Sequence, residues 1–243
     1  MPSFAGIVLF TVAVTFAAAD KCPPISSMAN FNASEMTGVW YDIAHTHRRT
    51  GLKLKCDLVK FTSDPTSPTR LDFNSFSYSS ATKSTVSVAG KIVPPTKKSV
   101  PDGTLAVTIP TLNIEKAELK VLSTDYRSFA VFYACQESEN GTAMPTALIL
   151  TREQTPSSKL KHAAFKVLEN INFPKKSLRE TIHTSCHSYD LASKVEQQAS
   201  TLGHATSMAG VVLLSKEDHH STGFSSTAKP KGLVDKLQNI KLF

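Results

Sequence analysis

The sequence predicts an all-β fold, an eight-stranded antiparallel up-and-down barrel with one C-terminal α-helix packed outside it. Between residues 40 and 152, apolar side chains recur mainly at every second position, which is the period of a β-strand. Clusters of Pro, Gly, Asp, Asn and Ser interrupt this pattern, and no helical crossover separates the segments. A sandwich also satisfies the pattern, but a closed barrel better explains an unbroken up-and-down order.

Eight segments carry the alternating pattern, and residues that turn the chain lie between them. The connection over 64–68 contains two prolines, that over 94–103 contains three, and that over 137–141 reads Glu-Ser-Glu-Asn-Gly. Such short polar connections are typical of turns between antiparallel strands. The predicted strands are 39–47, 55–63, 69–78, 83–94, 103–110, 116–123, 127–136 and 145–152.

A helical period replaces the alternation after Thr155-Pro156, where threonine provides an N-cap and proline the first helical position. The predicted helix ends before Phe173-Pro174. Its apolar residues form one stripe, so we expect the helix to dock on the barrel. The stripe consists of Leu160, Ala163, Ala164, Val167, Leu168 and Ile171.

The chain begins with a segment typical of secretory signal peptides, residues 1–19, in which an apolar run is followed by three alanines. We expect the barrel and helix over 20–189. We expect a C-terminal extension over 190–243 that is mostly flexible, with a short terminal helix near 233–240. In an oxidising compartment the four cysteines form two disulfides, although the residues alone leave three connectivities open. Asn32 and Asn140 begin N-glycosylation sequons.

Composition and missing motifs argue against several other functions. No apolar run reaches the roughly 18 residues of a membrane span, and the net charge of +7 is not interleaved with aromatic residues as in nucleic-acid binders. The sequence has no Gly-x-Ser-x-Gly, His-Glu-x-x-His or Cys-x-x-Cys motif and no phosphate-binding glycine loop, so we expect neither an enzyme nor a cofactor. His45 and His47 share a strand face but lack an evident third ligand, so we predict no metal site and leave their contact with metal or haem open.

Three short motifs resemble the signatures of the lipocalin family over about residues 22–187. They are Gly38-Val39-Trp40-Tyr41, Thr124-Asp125-Tyr126 and Arg152. The cysteine positions further resemble apolipoprotein D-like and arthropod lipocalins, and residues 22–47 resemble salivary lipocalins of blood-feeding insects. The resemblance implies pairing of Cys22 with Cys135 and of Cys56 with Cys186. It also implies that Trp40 closes one end of the barrel beneath the Arg152 guanidinium.

The implied disulfides and the strand period together predict which side chains line the interior. Cys135 and Cys56 must face outward, and Arg152 inward, so alternate residues on their strands face into the barrel. The same alternation on the other strands completes an almost wholly apolar lining, although such residues could equally fill a solid core. The predicted ligand-binding residues are Val59, Phe61, Phe73, Val86, Val88, Leu105, Val107, Leu119, Val121, Ala130, Phe132, Ala134, Leu148 and Leu150.

These expectations favour a secreted glycoprotein that binds and transports a small hydrophobic or amphipathic ligand. The alternative implied by the salivary resemblance is an anti-haemostatic lipocalin that sequesters eicosanoids, nucleotides or biogenic amines, or inhibits platelet aggregation. The extension over 190–243 offers a further contact for a host protein or a membrane surface. We expect no nucleic-acid partner.

Overall fold

Eight antiparallel strands follow one another along the chain and close into a barrel. The computed structural model describes residues 21–46, 53–64, 67–94, 102–186 and 213–214. The predicted signal peptide, 1–19, lies outside these residues. The strands are β1 (Gly38–Thr46), β2 (Leu54–Asp64), β3 (Ser67–Ser79), β4 (Ser84–Val93), β5 (Thr104–Ile109), β6 (Ile114–Thr124), β7 (Phe129–Glu137) and β8 (Ala143–Thr151).

The barrel closes because its first and last strands pair. Each strand from β1 to β8 is hydrogen-bonded to the next, and β1 also pairs with β8 through Tyr41–Thr151 and neighbouring residues. Each of these pairings is antiparallel. The predicted fold class, an all-β up-and-down barrel, is therefore confirmed, and all eight predicted strands are present with bounds shifted by one or two residues.

One α-helix, α1 (Ser158–Asn170), packs on the outer wall of the barrel, as the amphipathic pattern predicts. Its N-cap is Ser157, whose side chain accepts a hydrogen bond from the backbone N–H of Leu160. The prediction that Thr155 is the N-cap and Pro156 the first helical residue is wrong, because this serine satisfies a free N–H one turn into the helix. Ala163, expected on the apolar stripe, is exposed.

The outer wall and α1 together bury a second apolar cluster, separate from the barrel interior. It contains residues of β1, β7, β8 and α1, with Phe173 from the chain after the helix. Leu168 is 2% exposed, and Phe173 meets Tyr133 edge to face at 6.4 Å. The helix therefore covers apolar side chains that alternate with the inward-facing ones. The buried members are Ile43, Ala44, Val131, Tyr133, Ala147, Ile149, Ala164, Leu168 and Phe173.

A segment after α1, residues 178–186, runs along β1 and is named here the strap. It begins with β9 (Leu178–Glu180), which pairs antiparallel with residues 44–46 of β1. Further along, the Thr181 N–H donates to the Ile43 carbonyl, and the Ile182 carbonyl accepts from the N–H of Cys56 on β2. The strap therefore bridges β1 and β2 beyond the Tyr41–Leu58 pair, and the sequence pattern predicts no strand there.

The described part of the C-terminal extension is β10 (Leu213–Leu214), which pairs antiparallel with Thr85 and Val86 of β4. The terminal helix expected near 233–240, and the rest of the extension, lie outside the described residues. Among the described helices, none is both long and apolar enough to cross a membrane.

Two disulfides tie the chain segments that flank the barrel to its strands. Cys22 is bonded to Cys135 on β7, and Cys56 on β2 is bonded to Cys186 at the end of the strap. The pairing implied by the family resemblance is confirmed, and it is one of three that four cysteines allow.

Candidate functional site

The interior of the barrel is one continuous apolar cluster to which every strand from β1 to β8 contributes. Cross-strand partners share a face of the sheet, so a single inward residue on each strand sets the direction of its neighbours. Eleven of the predicted lining residues lie fully buried in this cluster, and Val88 and Leu148 pack against it half-buried. The eleven are Val59, Phe61, Phe73, Leu105, Val107, Leu119, Val121, Ala130, Phe132, Ala134 and Leu150.

Val86 is the one predicted lining residue that the interior cluster does not include. It is 5% exposed, and it lies two residues before the half-buried Val88 on β4. Alternation places both side chains on the inner face, and Val86 is paired there with Ser77 of β3. The inward placement of the lining residues is thus as expected. Their role in ligand binding stays a prediction.

The interior also contains apolar residues that the sequence analysis did not identify. Leu71 and Ile92 are a cross-strand pair. Each lies an even number of residues from a predicted lining residue of its own strand, so strand alternation places it on the same inner face. Phe31 and Met36 come from the chain before β1, where no strand period exists to reveal their direction. The buried residues added by the structure are Phe31, Ala33, Met36, Leu71, Ile92, Ile109 and Leu112.

Gly90 on β4 lets the Phe73 ring lie across the sheet. A Cβ atom built on Gly90 would meet two ring atoms of Phe73 and the carbonyl oxygen of Thr108 at 2.6 Å. No real side chain tolerates such contacts, so the glycine is required for close packing of this ring. The ring also lies 6.4 Å from that of Phe61, centroid to centroid.

The end of the barrel where β1 begins is closed by Trp40 and Arg152. Trp40 is 0% exposed, and its indole N–H donates to the Met36 carbonyl at 2.7 Å. The Arg152 guanidinium carbon lies 3.8 Å from the centroid of the Trp40 ring. The guanidinium also donates to the carbonyls of Val39 (3.1 Å) and Tyr126 (3.1 and 3.3 Å). The three sequence motifs therefore meet at one pole, as expected from the resemblance.

The turn between β6 and β7 places a carboxylate, Asp125, near Arg152 at this end of the barrel. Burial lowers the pKa of Arg152, and the nearby carboxylate of Asp125 opposes that shift. Partial burial by itself would raise the pKa of Asp125, but hydrogen bonds from the Ser128 hydroxyl and from three backbone N–H groups lower it overall. Those N–H groups belong to Arg127, Ser128 and Phe129. Asp125 therefore holds the β6–β7 turn beside Arg152 in its ionised form.

A polar group interrupts the apolar wall on β1 and β2. Asp42 and His45 pair across the sheet with Leu150 and Leu148, which face the interior. Asp57 precedes Leu58, which packs on the outside of the barrel with Phe76, Tyr78 and the Cys56–Cys186 disulfide, so Asp57 also faces inward. Asp42 is 4% and Asp57 2% exposed. The strand alternation that predicts an inward Val59 also predicts an inward Asp57. The sequence analysis did not include Asp57 among the lining residues.

The strap adds hydroxyl and imidazole groups beside these carboxylates. The Thr181 hydroxyl donates to Asp42 Oδ1 at 3.1 Å and lies 3.3 Å from His45 Nδ1. His45 Nδ1 also lies 2.8 Å from Asp42 Oδ2, within hydrogen-bond distance. His183 Nε2 lies 2.8 Å from the Asp42 backbone carbonyl. Four polar residues from β1 and the strap are thus joined in one hydrogen-bonded group.

The two predicted glycosylation sites lie on the surface of the molecule. The Asn32 side chain caps a short 3₁₀ turn, and Asn140 lies in an exposed turn beside Gly141, so both sequons are accessible. Glycosylation stays a prediction. His47 lies outside the described residues, so the structure places only His45 of that pair.

Comparisons with known proteins agree with this architecture. A model of the lipocalin / cytosolic fatty-acid binding protein family matches residues 37–185, more than half of the chain. No curated protein sequence matches the chain.

Several solved structures share the fold. Insecticyanin from the tobacco hornworm Manduca sexta is 17% identical with a TM-score of 0.57, covering 68% of this chain and 87% of its own. Cockroach Per a 4 is 16% identical with a TM-score of 0.54, covering 70% and 99%. Lobster apocrustacyanin A1 is 20% identical with a TM-score of 0.53, covering 68% and 94%. Identities this low show the fold alone. The narrower resemblances to apolipoprotein D-like and salivary lipocalins stay predictions.

Proposed function

Because the chain belongs to the lipocalin / cytosolic fatty-acid binding protein family, we propose that it is an extracellular carrier of a small hydrophobic or amphipathic molecule, bound inside the barrel. The observation that carries the proposal is the interior itself. All eight strands direct apolar side chains into one space that Trp40 and Arg152 close at one end. Where its own side chains do not fill it, the interior of an eight-stranded barrel holds one small ligand.

The chemistry of the wall favours an apolar guest. Burial of apolar surface contributes about 25 cal/mol per Å², and aliphatic and aromatic groups supply most of the interior. Ala130 and Ala134 on β7 leave more room than the larger side chains beside them. The polar group of Asp42, His45 and Asp57 interrupts this wall on one side, which supports an amphipathic guest with one polar end.

Two disulfides support the extracellular part of the proposal. Such bonds persist in oxidising compartments and are rare in the cytosol. The segment over 1–19 has the pattern of a signal peptide, and the two sequons at Asn32 and Asn140 are exposed, as glycan attachment requires. Carriage, rather than catalysis, is the activity that this set of features supports.

The test is titration of the full secreted protein with a fluorescent fatty acid and with retinol. We expect saturable binding by the wild type and its loss in Phe132→Asp, because a carboxylate in the apolar wall opposes burial of the guest. Ile182→Asp is the matched control, since Ile182 is 58% exposed on the strap and its substitution should leave binding unchanged.

A second variant tests binding inside the barrel even if Phe132→Asp does not fold. Val88 is half-buried against the interior cluster, so Val88→Phe should fill part of the interior and weaken binding while the barrel stays folded by circular dichroism. Equal binding by wild type, Val88→Phe and a folded Phe132→Asp would disprove binding inside the barrel. Absence of saturable binding of any apolar probe by the wild type would argue against the carrier itself.

A further inference from the structure

Asp42, His45 and Asp57 form a group of potential metal ligands on the inner wall of the barrel. Each offers one ligand atom, and the three atoms lie within 4.8 Å of one another. His45 supplies the imidazole that the sequence singled out, and the two carboxylates supply the further ligands that the sequence pattern did not reveal. Because Asp42 and Asp57 are buried on neighbouring strands, their backbone positions are set by the sheet.

A β-bulge creates this arrangement. Asp42 and His45 are three residues apart, and in a regular strand they would face opposite sides of the sheet. Ile43 is an extra residue in the pairing with β8, where Asp42 opposes Leu150 and Ala44 opposes Ile149. The bulge therefore turns His45 inward beside Asp42, which is how bulges re-aim side chains at functional sites.

We propose that Asp42, His45 and Asp57 bind one divalent transition-metal ion, for which Zn²⁺ is the best match. One imidazole nitrogen and two carboxylate oxygens form a ligand set that suits Zn²⁺, whereas Mg²⁺ and Ca²⁺ prefer oxygen alone. In a tetrahedral zinc site with bonds of about 2.0 Å the ligand atoms are about 3.3 Å apart. The observed separations, 2.8 Å between His45 Nδ1 and Asp42 Oδ2 and no more than 4.8 Å within the group, span this distance.

The strap orients one of these ligands, Asp42, through a hydrogen bond. The Thr181 hydroxyl donates to Asp42 Oδ1, and the strap is itself held by the Cys56–Cys186 disulfide. Hydrogen bonds of this kind orient metal ligands and restrict their rotation. Three protein ligands also leave a fourth coordination position for water or for the polar end of a guest, which makes the site distinct from the apolar wall.

The experiment measures Zn²⁺ binding to the full, tag-free secreted protein after treatment with a chelator, without any lipid. We expect one equivalent of Zn²⁺ by isothermal titration calorimetry, with affinity weakened about tenfold or more in Asp57→Asn and in His45→Gln. His162→Gln is the matched control, because His162 is exposed on α1 and lies outside the group. A second control replaces His219 and His220, which lie outside the described residues, by alanine, and we expect unchanged binding.

Co²⁺ provides an independent readout that a merely structural role would not affect. Trp40 is the only tryptophan and lies two residues from Asp42, about 7 Å along the strand, so bound Co²⁺ should quench its fluorescence. The quenching should disappear in His45→Gln, whose fold is checked by near-ultraviolet circular dichroism. Stoichiometric binding unchanged in both site variants, binding lost with the His219 and His220 substitutions, or no stoichiometric binding would each overturn the proposal. Loss of lipid binding alone would not affect it.

Discussion

The Arg152 guanidinium lies 3.8 Å above the Trp40 ring while it donates hydrogen bonds to the backbone carbonyls of Val39 and Tyr126. One side chain therefore joins the first strand to the turn between β6 and β7. The indole beneath it is fully buried. A cation held over an aromatic face away from water contributes about 2 kcal/mol, and charge-assisted hydrogen bonds add to this.

Replacement of Arg152 by lysine should lower the free energy of unfolding by about 2 kcal/mol, because an ammonium cannot cover the ring and reach both carbonyls at once. Urea unfolding followed by Trp40 fluorescence measures the change. Arg127→Lys in the same turn is the control, since Arg127 is exposed and its replacement should have little effect. Equal losses in the two variants would contradict the closure role of Arg152.

Gly38 should not tolerate a side chain. Its φ is +99°, a value that favours glycine, and a Cβ atom there would lie 2.9 Å from Arg152 Nη1. Gly38→Ala should therefore lower the free energy of unfolding by about 1 to 3 kcal/mol. Gly141→Ala separates strain from the clash, because Gly141 has φ of +77° but nothing within 4 Å of its Cβ position. A loss no larger at Gly38 than at Gly141 would show that the contact with Arg152 is unimportant.

Removal of the Cys56–Cys186 disulfide should release the strap. The double variant Cys56→Ser, Cys186→Ser loses a cross-link between residues 130 apart in sequence, worth about 4 to 5 kcal/mol in the chain-entropy model. We expect faster amide hydrogen exchange at Thr181, whose N–H bonds to Ile43, than at residues of β7. Uniform acceleration over the whole barrel would instead indicate that the disulfide acts only on global stability.

Asp125 should contribute to stability near neutral pH and lose that contribution in acid. Its folded-state pKa is lowered by hydrogen bonds from the turn, so the contribution is complete above the unfolded value of about 4 and disappears as pH falls through the lower folded value. Solvent screening limits the effect to less than about 1 kcal/mol. Asp125→Asn should reduce the melting temperature at pH 7 more than at pH 3. Glu115→Gln serves as the control, because Glu115 carries an exposed carboxylate near the opposite end of β6. Identical dependence of the melting temperature on pH in the two variants would refute the role of Asp125.

Local patterns were sufficient to predict most of the barrel. Alternation identifies Phe61 and Phe132 as inward-facing because successive residues of any regular strand point to opposite sides. The same rule, applied to every residue, would also have found Leu71, Ile92 and Asp57. It fails at His45 because the extra residue in β1 is visible only when the partner strand β8 is known.

The sequence by itself determined the all-β class, the order of the eight strands and the apolar face of each, since these depend on contacts between near neighbours. The tertiary structure decided which of three disulfide pairings forms and where the strap pairs, because both join residues far apart in sequence. It also decided that one imidazole and two carboxylates meet inside the barrel. That meeting depends on a bulge and on strand register, which arise only when whole strands pair and their apolar faces compete for the same interior.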